Sequence, residues 1–424
     1  FNNDGFDDVY VTRFGSNQLF ENLGDATFRD VTQESETDTP LWSTSAAWAD
    51  WDCDGDLDLF VCNYLDYDLS DSLDCRREDG VALACDPKNF SGLPNAAFQN
   101  EGNGQFREVG EGLRLRSAVG TSRSLGVAIA ELTGDRWPDI YVANDVSPNT
   151  LYAGEGGRYF REVGRLMGCA TGRNGEVQAS MGIAFGDYDN NGMMDLCLTH
   201  FSQETNTLYA NQPAGGFVDV SKMTGLTDVS TEPLGFGTVM HDFNSDGHQD
   251  MFVANGHVHD NRAVNEPYRM RPQLLSFNGR QWLDGSTVAG PYFEQEFIGR
   301  GVSSGDYDRD GDMDLLVGHQ KDEAALLRNE SSRGHWLKLR LIGTTSNRQG
   351  IGSQVTLVQS EQKLVAQIPG GTSYCATQEP ILIFGLGKDD SPAHLAIRWS
   401  DGTTQNVVVE YVDRSVVVIE SRGK

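Results

Sequence analysis

The sequence predicts an all-β protein built from a four-stranded unit that is repeated along the chain. Three observations support this prediction. An acidic nine-residue motif recurs, a short apolar run follows each copy, and paired apolar segments around an Asn/Gly/Asp turn lie between copies. Runs of bulky and β-branched residues bounded by Gly and Asn are typical of buried strands. Almost no segment shows a helical pattern, so we expect strands to dominate.

The motif has the form Asp-x-Asp-x-Asp-Gly-x-x-Asp, and we number its copies one to six in chain order and its positions 1 to 9. The complete copies are loop two (Asp50, Asp52, Asp54, Gly55, Asp58), loop four (Asp187, Asp189, Asn191, Gly192, Asp195), loop five (Asp242, Asn244, Asp246, Gly247, Asp250) and loop six (Asp306, Asp308, Asp310, Gly311, Asp314). Loop three is weaker (Glu131, Thr133, Asp135, Asp139), and loop one is incomplete (Asn2, Asp4, Gly5, Asp8).

Alternating carboxylates around a glycine turn form an oxygen cage for a hard cation. Calcium takes six to eight oxygen ligands, and glycine allows the sharp turn. An EF-hand opens in the same way but needs a Glu at loop position twelve, where loop two has Val61 and loop six has Val317. We therefore predict calcium sites between strands, with the Asp and Asn residues of loops one, two, four, five and six as ligands. The alternative is a set of acidic turns without metal.

Loop three is expected to be the weakest of these sites. Thr133 replaces a carboxylate, and Arg136 takes the glycine position and brings a positive charge next to the cage. We therefore predict partial occupancy or no metal there.

The spacing of the loops predicts the architecture. Their fifth positions lie 50, 81, 56, 55 and 64 residues apart, and a four-stranded sheet at a period of about 50 residues is typical of a propeller blade. The predicted fold is an all-β, calcium-binding β-propeller of six or seven blades, with seven favoured, and a small C-terminal β domain. We expect the propeller at 1–331, with an insertion at about 63–96, and the second domain at 332–424. Loop one starts at its second position, so we expect the natural chain to begin earlier.

The C-terminal domain is expected to be a compact antiparallel unit packed on the propeller, without a metal. The stretches Val355–Val358 and Val407–Val409 predict strands. The Gly-rich stretch Phe384–Gly387 predicts a turn with close backbone contact.

The repeats resemble FG-GAP/VCBS repeats, the calcium-binding blades of integrin α-chain propellers. The segment from His335 resembles the ASPIC/UnbV domain, through the stretches Asn347–Gly352, Gly370–Tyr374 with Gln378, Phe384–Gly387 and Arg398–Gly402. Together they resemble the cartilage acidic protein family and its bacterial relatives, over essentially the whole chain. The resemblance implies a calcium-loaded propeller that uses one face for recognition.

Cysteines and composition indicate the compartment. Cys75 and Cys85 lie in the polar insertion, which has little strand pattern, and the family resemblance also favours a disulfide between them. A disulfide and calcium loops favour a secreted, extracellular or periplasmic setting. The net charge of -29 argues against nucleic acid as a partner. No apolar run is long enough for a membrane span.

The loops that follow the second strand of each blade should emerge on the face opposite the calcium loops and ring the central channel. Their polar and aromatic residues form a candidate ligand-binding face: Tyr64, Asn144, Asp145, His200, Glu204, Asn255, His257 and His319. The alternative is that Asn and His cap strand ends and bond loop backbone. A second metal held by His257 and His259, with His200 or His319, is a further hypothesis.

The function predicted is an extracellular calcium-binding propeller that acts as a binding or adhesion module for protein or glycan. One alternative is an enzyme that uses the face opposite the calcium loops. Another is a structural subunit that assembles with other chains. No P-loop motif is present.

Overall fold

The structure is a computed structural model that describes residues 1–70, 73–77, 80–117, 120–260, 262, 267–331, 334–360 and 362–421. In chain order the strands are β1 (Val9–Val11), β2 (Phe14–Gly15), β3 (Gln18–Asn22), β4 (Phe28–Asp30), β5 (Leu41–Ala49), β6 (Asp58–Asn63), β7 (Ala96–Asn100), β8 (Phe106–Glu108), β9 (Ser124–Ala130), β10 (Asp139–Asn144), β11 (Thr150–Gly154), β12 (Phe160–Glu162), β13 (Ile183–Gly186), β14 (Asp195–Leu198), β15 (Thr207–Asn211), β16 (Phe217–Asp219), β17 (Gly235–His241), β18 (Asp250–Asn255), β19 (Gln273–Phe277), β20 (Trp282–Asp284), β21 (Gly299–Gly305), β22 (Asp314–His319), β23 (Ala325–Leu327), β24 (His335–Ile342), β25 (Gln354–Gln359), β26 (Gln362–Gln367), β27 (Leu382–Gly387), β28 (Ala393–Arg398), β29 (Thr404–Val409) and β30 (Arg414–Ile419). Short helices are α1 (Thr32–Ser35), α2 (Gly164–Met167) and α3 (Leu226–Ser230), with 3-10 turns at Pro87–Asn89, Ser286–Val288 and Pro291–Glu294.

The strands up to β23 form six antiparallel sheets in the described part of the chain, which confirms the all-β propeller class. In sequence order the sheets are β1-β3-β4, β2-β5-β6-β7-β8, β9 to β12, β13 to β16, β17 to β20, and β21-β22-β23. The strand before each loop (β5, β9, β13, β17 and β21) is innermost, and successive inner strands lie side by side around the centre. The number of blades in a closed ring stays a prediction.

Stacking of these sheets buries the second strand of most of them on both faces. Every residue of β6, β10, β14 and β18 is buried. The third residue of each of these strands packs toward the following sheet, as Phe60 and Tyr141 do. The second and fourth residues pack toward the preceding sheet, as Leu59 and Val61 do. This is why these strands read as continuous apolar runs and not as alternating ones.

The insertion between β6 and β7 lies over aromatic side chains on the face opposite the acidic loops. A disulfide joins Cys75 to Cys85. Tyr67 packs against Phe90 and against Trp42, with ring centroids 5.2 Å and 5.8 Å apart. The aromatic contacts and the disulfide therefore hold in place a polar segment that has few apolar residues to bury.

The C-terminal strands form two further sheets, β27-β24-β30 and β26-β25-β28-β29, around one apolar core. The expected boundary at 331/332 adjoins residues 332–333, which lie outside the described ranges. Two expectations about this region were wrong. It is not purely antiparallel, because β24 pairs with β30 in parallel. The stretch Phe384–Gly387 lies inside β27 and forms no turn. Gly385 in this stretch allows close packing, because a Cβ there would lie 1.9 Å from Asp242 Oδ2.

The C-terminal unit covers the loop face and sends a segment into the propeller centre. That segment, residues 370–379, forms hydrogen bonds to three of the inner strands, β9, β13 and β21. Gly370 N donates to Ile129 O at 2.8 Å, Ser373 N donates to Ile183 O at 2.6 Å, and Glu379 N donates to Ser304 O at 3.0 Å. We call residues 370–379 the plug. The stretch Gly370–Tyr374 that marked the family resemblance is therefore an inter-sheet connector.

Candidate calcium centres

Each acidic loop folds around two left-handed residues at positions 4 and 6. Position 6 has φ of +94° at Gly55, +90° at Gly192 and +98° at Gly311. Glycine adopts this conformation at little cost, which is why the motif requires it. In loop three Arg136 holds the same position with φ of +84°, an unfavourable conformation for a side chain with a Cβ.

The carboxylate at position 1 organises the turn by accepting backbone N–H groups. Asp50 accepts from Asp54 N at 3.1 Å and from Gly55 N at 3.2 Å. Asp187 and Asp242 make the same pair of bonds in loops four and five. These bonds fix the turn, and the remaining carboxylate oxygens converge.

The carboxylate at position 9 ties the loop to the third strand of its sheet. Asp58 accepts from Trp51 N at 3.3 Å and from Asn100 N at 2.9 Å. Asp195 accepts from Tyr188 N at 2.9 Å and from Asn211 N at 2.7 Å. Position 9 is therefore an anchor between strands as well as a candidate ligand.

A recurring asparagine at the end of the third strand was missed from the sequence. Asn100, Asn211 and Asn329 each donate from Nδ2 to the backbone carbonyl at position 2 of a preceding loop, at 2.9 Å, 2.9 Å and 2.8 Å. These bonds join neighbouring sheets at the level of the loops. The signal was present, since Asn22, Asn100, Asn211 and Asn329 occupy equivalent positions in four of the repeats. We had attributed these residues to the hairpin turns that follow them.

The geometry and electrostatics of loops two and four fit a hard cation. Carboxylate oxygens of Asp50, Asp52 and Asp54 lie within 4.8 Å of one another, as do those of Asp187, Asp189 and Asp195. Asp52 Oδ1 is buried and has no hydrogen-bond partner among the described residues. Burial, and then the neighbouring carboxylates, raise the pKa of Asp50 to about 7. An all-oxygen donor set under this repulsion suits calcium.

Loop five has the same frame with a neutral ligand at position 3. Burial raises the pKa of Asp242 to about 7 and that of Asp250 to about 6. Asn244 contributes an amide oxygen in place of a carboxylate. The motif of loop five therefore supplies three carboxylates and one amide.

Loop six differs because basic side chains already occupy it. Lys338 Nζ lies 2.6 Å from Asp306 Oδ2, with exposed side-chain fractions of 11% and 0%. Arg328 Nε lies 2.6 Å from Asp308 Oδ2. Oxygens of Asp306, Asp308 and Asp314 still converge within 4.8 Å, but this cage already contains an ammonium group.

Loop three also carries a cation from the C-terminal unit. Arg398 Nη2 lies 3.6 Å from Glu131 Oε2. Thr133 Oγ1 donates to Asp139 Oδ1 at 3.3 Å, so this hydroxyl closes the loop onto its own anchor. Burial raises the pKa of Asp139 to about 8.

Loop one carries the remaining candidate ligands. Asn2 Nδ2 donates to Asp4 Oδ2 at 3.1 Å. Asp8 accepts from Asn22 N at 2.8 Å. The position-9 anchor is therefore formed in this loop as well.

The C-terminal unit contacts the loops at position 6. A Cβ at Gly55 would lie 2.5 Å from Thr345 O, and one at Gly247 would lie 2.8 Å from Gln362 Nε2. Gly311 lies under the Trp336 ring, which a Cβ would approach to 2.1 Å. The glycines thus serve close packing between the two units as well as the turn.

The residues of the expected ligand-binding face fall into two groups. Tyr64 donates a short hydrogen bond to Asp145 Oδ2, and Glu204 accepts from Ala179 N at 2.8 Å. Burial is the main cause that raises the pKa of Asp145 to about 6. These three acidic or phenolic groups lie at the end of the channel into which Tyr374 of the plug packs.

The Asn and His side chains of that face are buried or form hydrogen bonds with nearby residues. Asn144 Nδ2 donates to Pro148 O at 2.8 Å, and Asn255 Nδ2 donates to Arg271 O at 2.9 Å. His200 is buried, which lowers its pKa to about 3. His319 Nε2 lies 2.8 Å from the Tyr292 hydroxyl.

His257 belongs to the same group, and its Nδ1 accepts from His259 N at 3.0 Å. Within the described residues, the clusters of three metal-ligating side chains are carboxylate groups in loops two, four and six.

Comparison with known proteins agrees with the resemblance drawn from the sequence. The family described as FG-GAP-like repeat matches residues 1–61, 131–198, 187–253 and 242–317, and the family described as ASPIC and UnbV matches residues 343–424. Cartilage acidic protein 1 of Xenopus tropicalis is 24% identical over 368 residues, which cover 79% of this chain and 54% of that protein. The Mus musculus protein is 23% identical over 282 residues, which cover 65% and 42%. The chain spans about half the length of these relatives.

One solved structure among those that align is a lectin of Agrocybe aegerita. It is 12% identical with a TM-score of 0.41, covering 78% of this chain and 76% of the lectin. In the described part of the chain, no helix is long and apolar enough to cross a membrane.

Proposed function

Because this chain belongs to the family of FG-GAP-like repeat proteins, we propose that it is a calcium-stabilised binding module that recognises a protein or a glycan outside the cytoplasm. Calcium holds the propeller loops and the C-terminal unit together on one face. The opposite face presents the ligand-binding groups. Calcium supplies no chemistry in this proposal beyond neutralising and bridging carboxylates.

The observation that carries the calcium proposal is the convergence of carboxylates in loops two and four. Their oxygens lie within 4.8 Å of one another, and among the described residues no Lys or Arg pairs with Asp50, Asp52 or Asp187. Charges this close repel strongly unless a cation or protons lie between them. Burial keeps water from screening that repulsion, because Asp50 is 2% exposed and Asp187 is 3% exposed.

The compartment follows from the disulfide and from calcium chemistry. The Cys75–Cys85 disulfide closes an exposed polar insertion, and such bonds persist in oxidising environments. Loops that rely on several carboxylates need calcium at concentrations found outside the cytoplasm. We therefore propose a secreted, extracellular or periplasmic location.

The ligand-binding part of the proposal rests on Tyr64, Asp145 and Glu204. The aromatic ring and the two carboxyl groups come from different sheets and meet beside the anchored insertion. Loops on a rigid scaffold are common places for recognition. A hydroxyl-rich ligand such as a glycan, or a protein segment that offers N–H and O–H donors, matches acidic acceptors next to an aromatic surface.

Titration of the chelator-stripped protein with calcium tests the first part. We expect binding by calorimetry with at least two equivalents, and weaker binding of magnesium because it demands a smaller octahedral cage. Asp52→Asn and Asp189→Asn should each remove about one equivalent. Absence of calcium binding by the folded protein would contradict the proposal.

A glycan and protein array probed with the calcium-loaded chain tests the second part. The ligand found there should bind Tyr64→Phe or Asp145→Asn at least about tenfold more weakly. Asp390→Asn, an exposed change in the C-terminal unit, serves as the matched control. Equal binding by all three variants would place recognition elsewhere.

A further inference from the structure

Two carboxyl groups on the face opposite the acidic loops have no Lys or Arg ion pair in the described part of the chain. Asp145 is 7% exposed, and Glu204 is half-buried. Their partners are a phenol and a backbone amide, because Tyr64 donates to Asp145 Oδ2 and Ala179 N donates to Glu204 Oε2 at 2.8 Å. Burial raises the pKa of Asp145 to about 6, and the nearby Glu204 carboxylate adds to the rise. Two neighbouring carboxylates that are shielded from water attract a cation.

Two basic side chains act on this pair without reaching it. Arg123 Nη2 donates to Phe90 O at 3.0 Å, so the fold directs its guanidinium to the insertion and not to a carboxylate. Arg123 lowers the pKa of Asp145 less than burial raises it. Lys88 is exposed, and its effect on the pKa of Glu204 is likewise smaller than that of burial. The chain itself therefore compensates the charge of the pair only in part.

A buried hydroxyl group lies between the two carboxyl groups. Ala179 N bonds to Glu204, and the backbone N of the next residue, Ser180, donates to Asn144 O at 3.3 Å, beside Asp145. Ser180 is 1% exposed, and its Oγ has no hydrogen-bond partner among the described residues. A buried hydroxyl without a partner is unfavourable. The polar groups at this place therefore lack at least one partner.

Three half-buried aromatic side chains lie beside the carboxyl pair and pack on one apolar cluster. They are Tyr64, Phe201 and Tyr374, and the buried residues of the cluster are Leu125, Met181, Leu234, Phe236 and Met270. The cluster already contacts one cation, because the Arg300 guanidinium lies 4.0 Å from the centroid of the Phe236 ring. Aromatic faces attract ammonium groups, and apolar surface contacts the methylene chain that carries such a group.

Given the recognition role proposed above for this face, on which this inference rests, we propose that the site binds a lysine side chain of a protein ligand. The ammonium group pairs with Asp145 and Glu204. Its four-carbon stem lies against the rings of Tyr64, Phe201 and Tyr374. A lysine fits this site better than an amino sugar, because the hydroxyl groups of a sugar would need partners that the apolar surroundings do not supply.

The direct probe is Nα-acetyl-lysine methylamide, added to the full chain in calcium and followed by saturation-transfer NMR. We expect saturable binding to one site. The Nε-acetyl and norleucine counterparts keep the stem but lack the charge, and they should bind at least about tenfold more weakly. Glucosamine carries the same ammonium group on a hydroxyl-bearing ring and should also bind at least about tenfold more weakly than the lysine probe.

Matched protein variants locate the site. Asp145→Asn and Glu204→Gln keep the shape of the side chain and remove its charge, and each should weaken binding of the lysine probe at least about tenfold. Glu204 is only half-buried, so Glu204→Gln still tests the site if Asp145→Asn fails to fold. The control is Glu232→Gln, which removes the same charge from an exposed residue of the same face and should leave the affinity unchanged. Glu232 follows Thr231, whose carbonyl accepts from Gln203 N at 2.8 Å.

Absence of saturable binding by the lysine probe would overturn the proposal, and so would equal binding of the norleucine counterpart or tighter binding of glucosamine. An effect of Glu232→Gln as large as that of Glu204→Gln would show attraction to the overall charge of the face instead of a site. An array ligand that needs Tyr64 but contains no lysine would refute the lysine assignment and leave the recognition face intact. Equal array binding by Tyr64→Phe and the unchanged chain would contradict the recognition face itself.

Discussion

Loops two and six share the acidic motif, the positive-φ glycine and the position-9 anchor, yet their carboxylates are neutralised differently. In loop two the carboxylates face one another, and burial with mutual repulsion raises the pKa of Asp50 to about 7. In loop six Lys338 from β24 reaches Asp306 at 2.6 Å. The same local sequence can therefore require an external cation or use one from the chain itself. Whether the C-terminal unit places a basic side chain in the loop determines which of these two applies.

Removal of calcium should have the largest effect. A cation at 100 times its dissociation constant stabilises the folded state by roughly 2.7 kcal/mol per site. Loops two, four and five should therefore together lose several kcal/mol in excess chelator. We expect a melting temperature lowered by many degrees and restored by calcium. An unchanged melting curve in chelator would show that the loops are stable as acidic turns without metal.

Replacement of Lys338, the cation that the chain itself supplies to loop six, should have the second largest effect on stability. Lys338→Met leaves Asp306 buried and unpaired, and breaking a buried pair costs about 3–5 kcal/mol. In chelator we expect the variant to lose that much unfolding free energy. In calcium we expect a partial recovery of stability, together with one additional calcium bound per chain. Arg328→Met removes a cation that is 56% exposed and should cost no more than about 1 kcal/mol. Equal effects of the two variants would remove the distinction between loops two and six.

The pH dependence of folding stability should reveal the loops whose carboxylates have no cation from the chain. In the metal-free fold the pKa values of Asp50, Asp187 and Asp242 are raised to about 7, from ordinary values near 3.8. The folded state then binds more protons than the unfolded state between about pH 4 and 7. Its stability must therefore fall as pH rises through that window, by about 1.4 kcal/mol per pH unit for each proton.

Calcium replaces those protons, so the difference in melting temperature between calcium and chelator should be larger at pH 8 than at pH 5. Proton release on calcium binding at pH 6.5, measured calorimetrically in two buffers, checks the same linkage. A calcium effect independent of pH would contradict the raised pKa values.

The smallest effect is expected at loop three. Asp54→Asn and Asp135→Asn change the same exposed position 5 in loops two and three. The first should weaken calcium binding by about tenfold at one site, whereas the second should leave stoichiometry and affinity unchanged. Glu131 is already paired with Arg398, and Arg136 holds the glycine position. A lost equivalent in Asp135→Asn would show that loop three binds calcium despite these cations.

Local patterns predicted the repeated parts of this protein well. The paired apolar segments expected between the acidic loops are hairpins, such as β3–β4 and β11–β12. The apolar runs after each loop are the second strands of the sheets. Both succeed because turn chemistry and burial act over a few residues, so each copy repeats the same signal.

Contacts between distant segments could not be predicted in this way. Gly370–Tyr374 looked like a family signature and proved to connect inner strands at the propeller centre. Phe384–Gly387 looked like a turn and proved to be a strand, because its glycine packs against Asp242 of loop five. In both cases the requirement for glycine comes from a partner far away in the chain.

The sequence by itself determined the all-β class, the period of the repeat, the oxygen-rich loops and the pair of cysteines. Each of these follows from spacing and from chemistry within about ten residues. Only the tertiary structure decided which loops carry their own cation, and which residues of the candidate ligand-binding face meet. Those properties depend on which side chains the fold brings within a few ångströms, and in a low-dielectric interior one ammonium group at that distance changes what a carboxylate cage can bind.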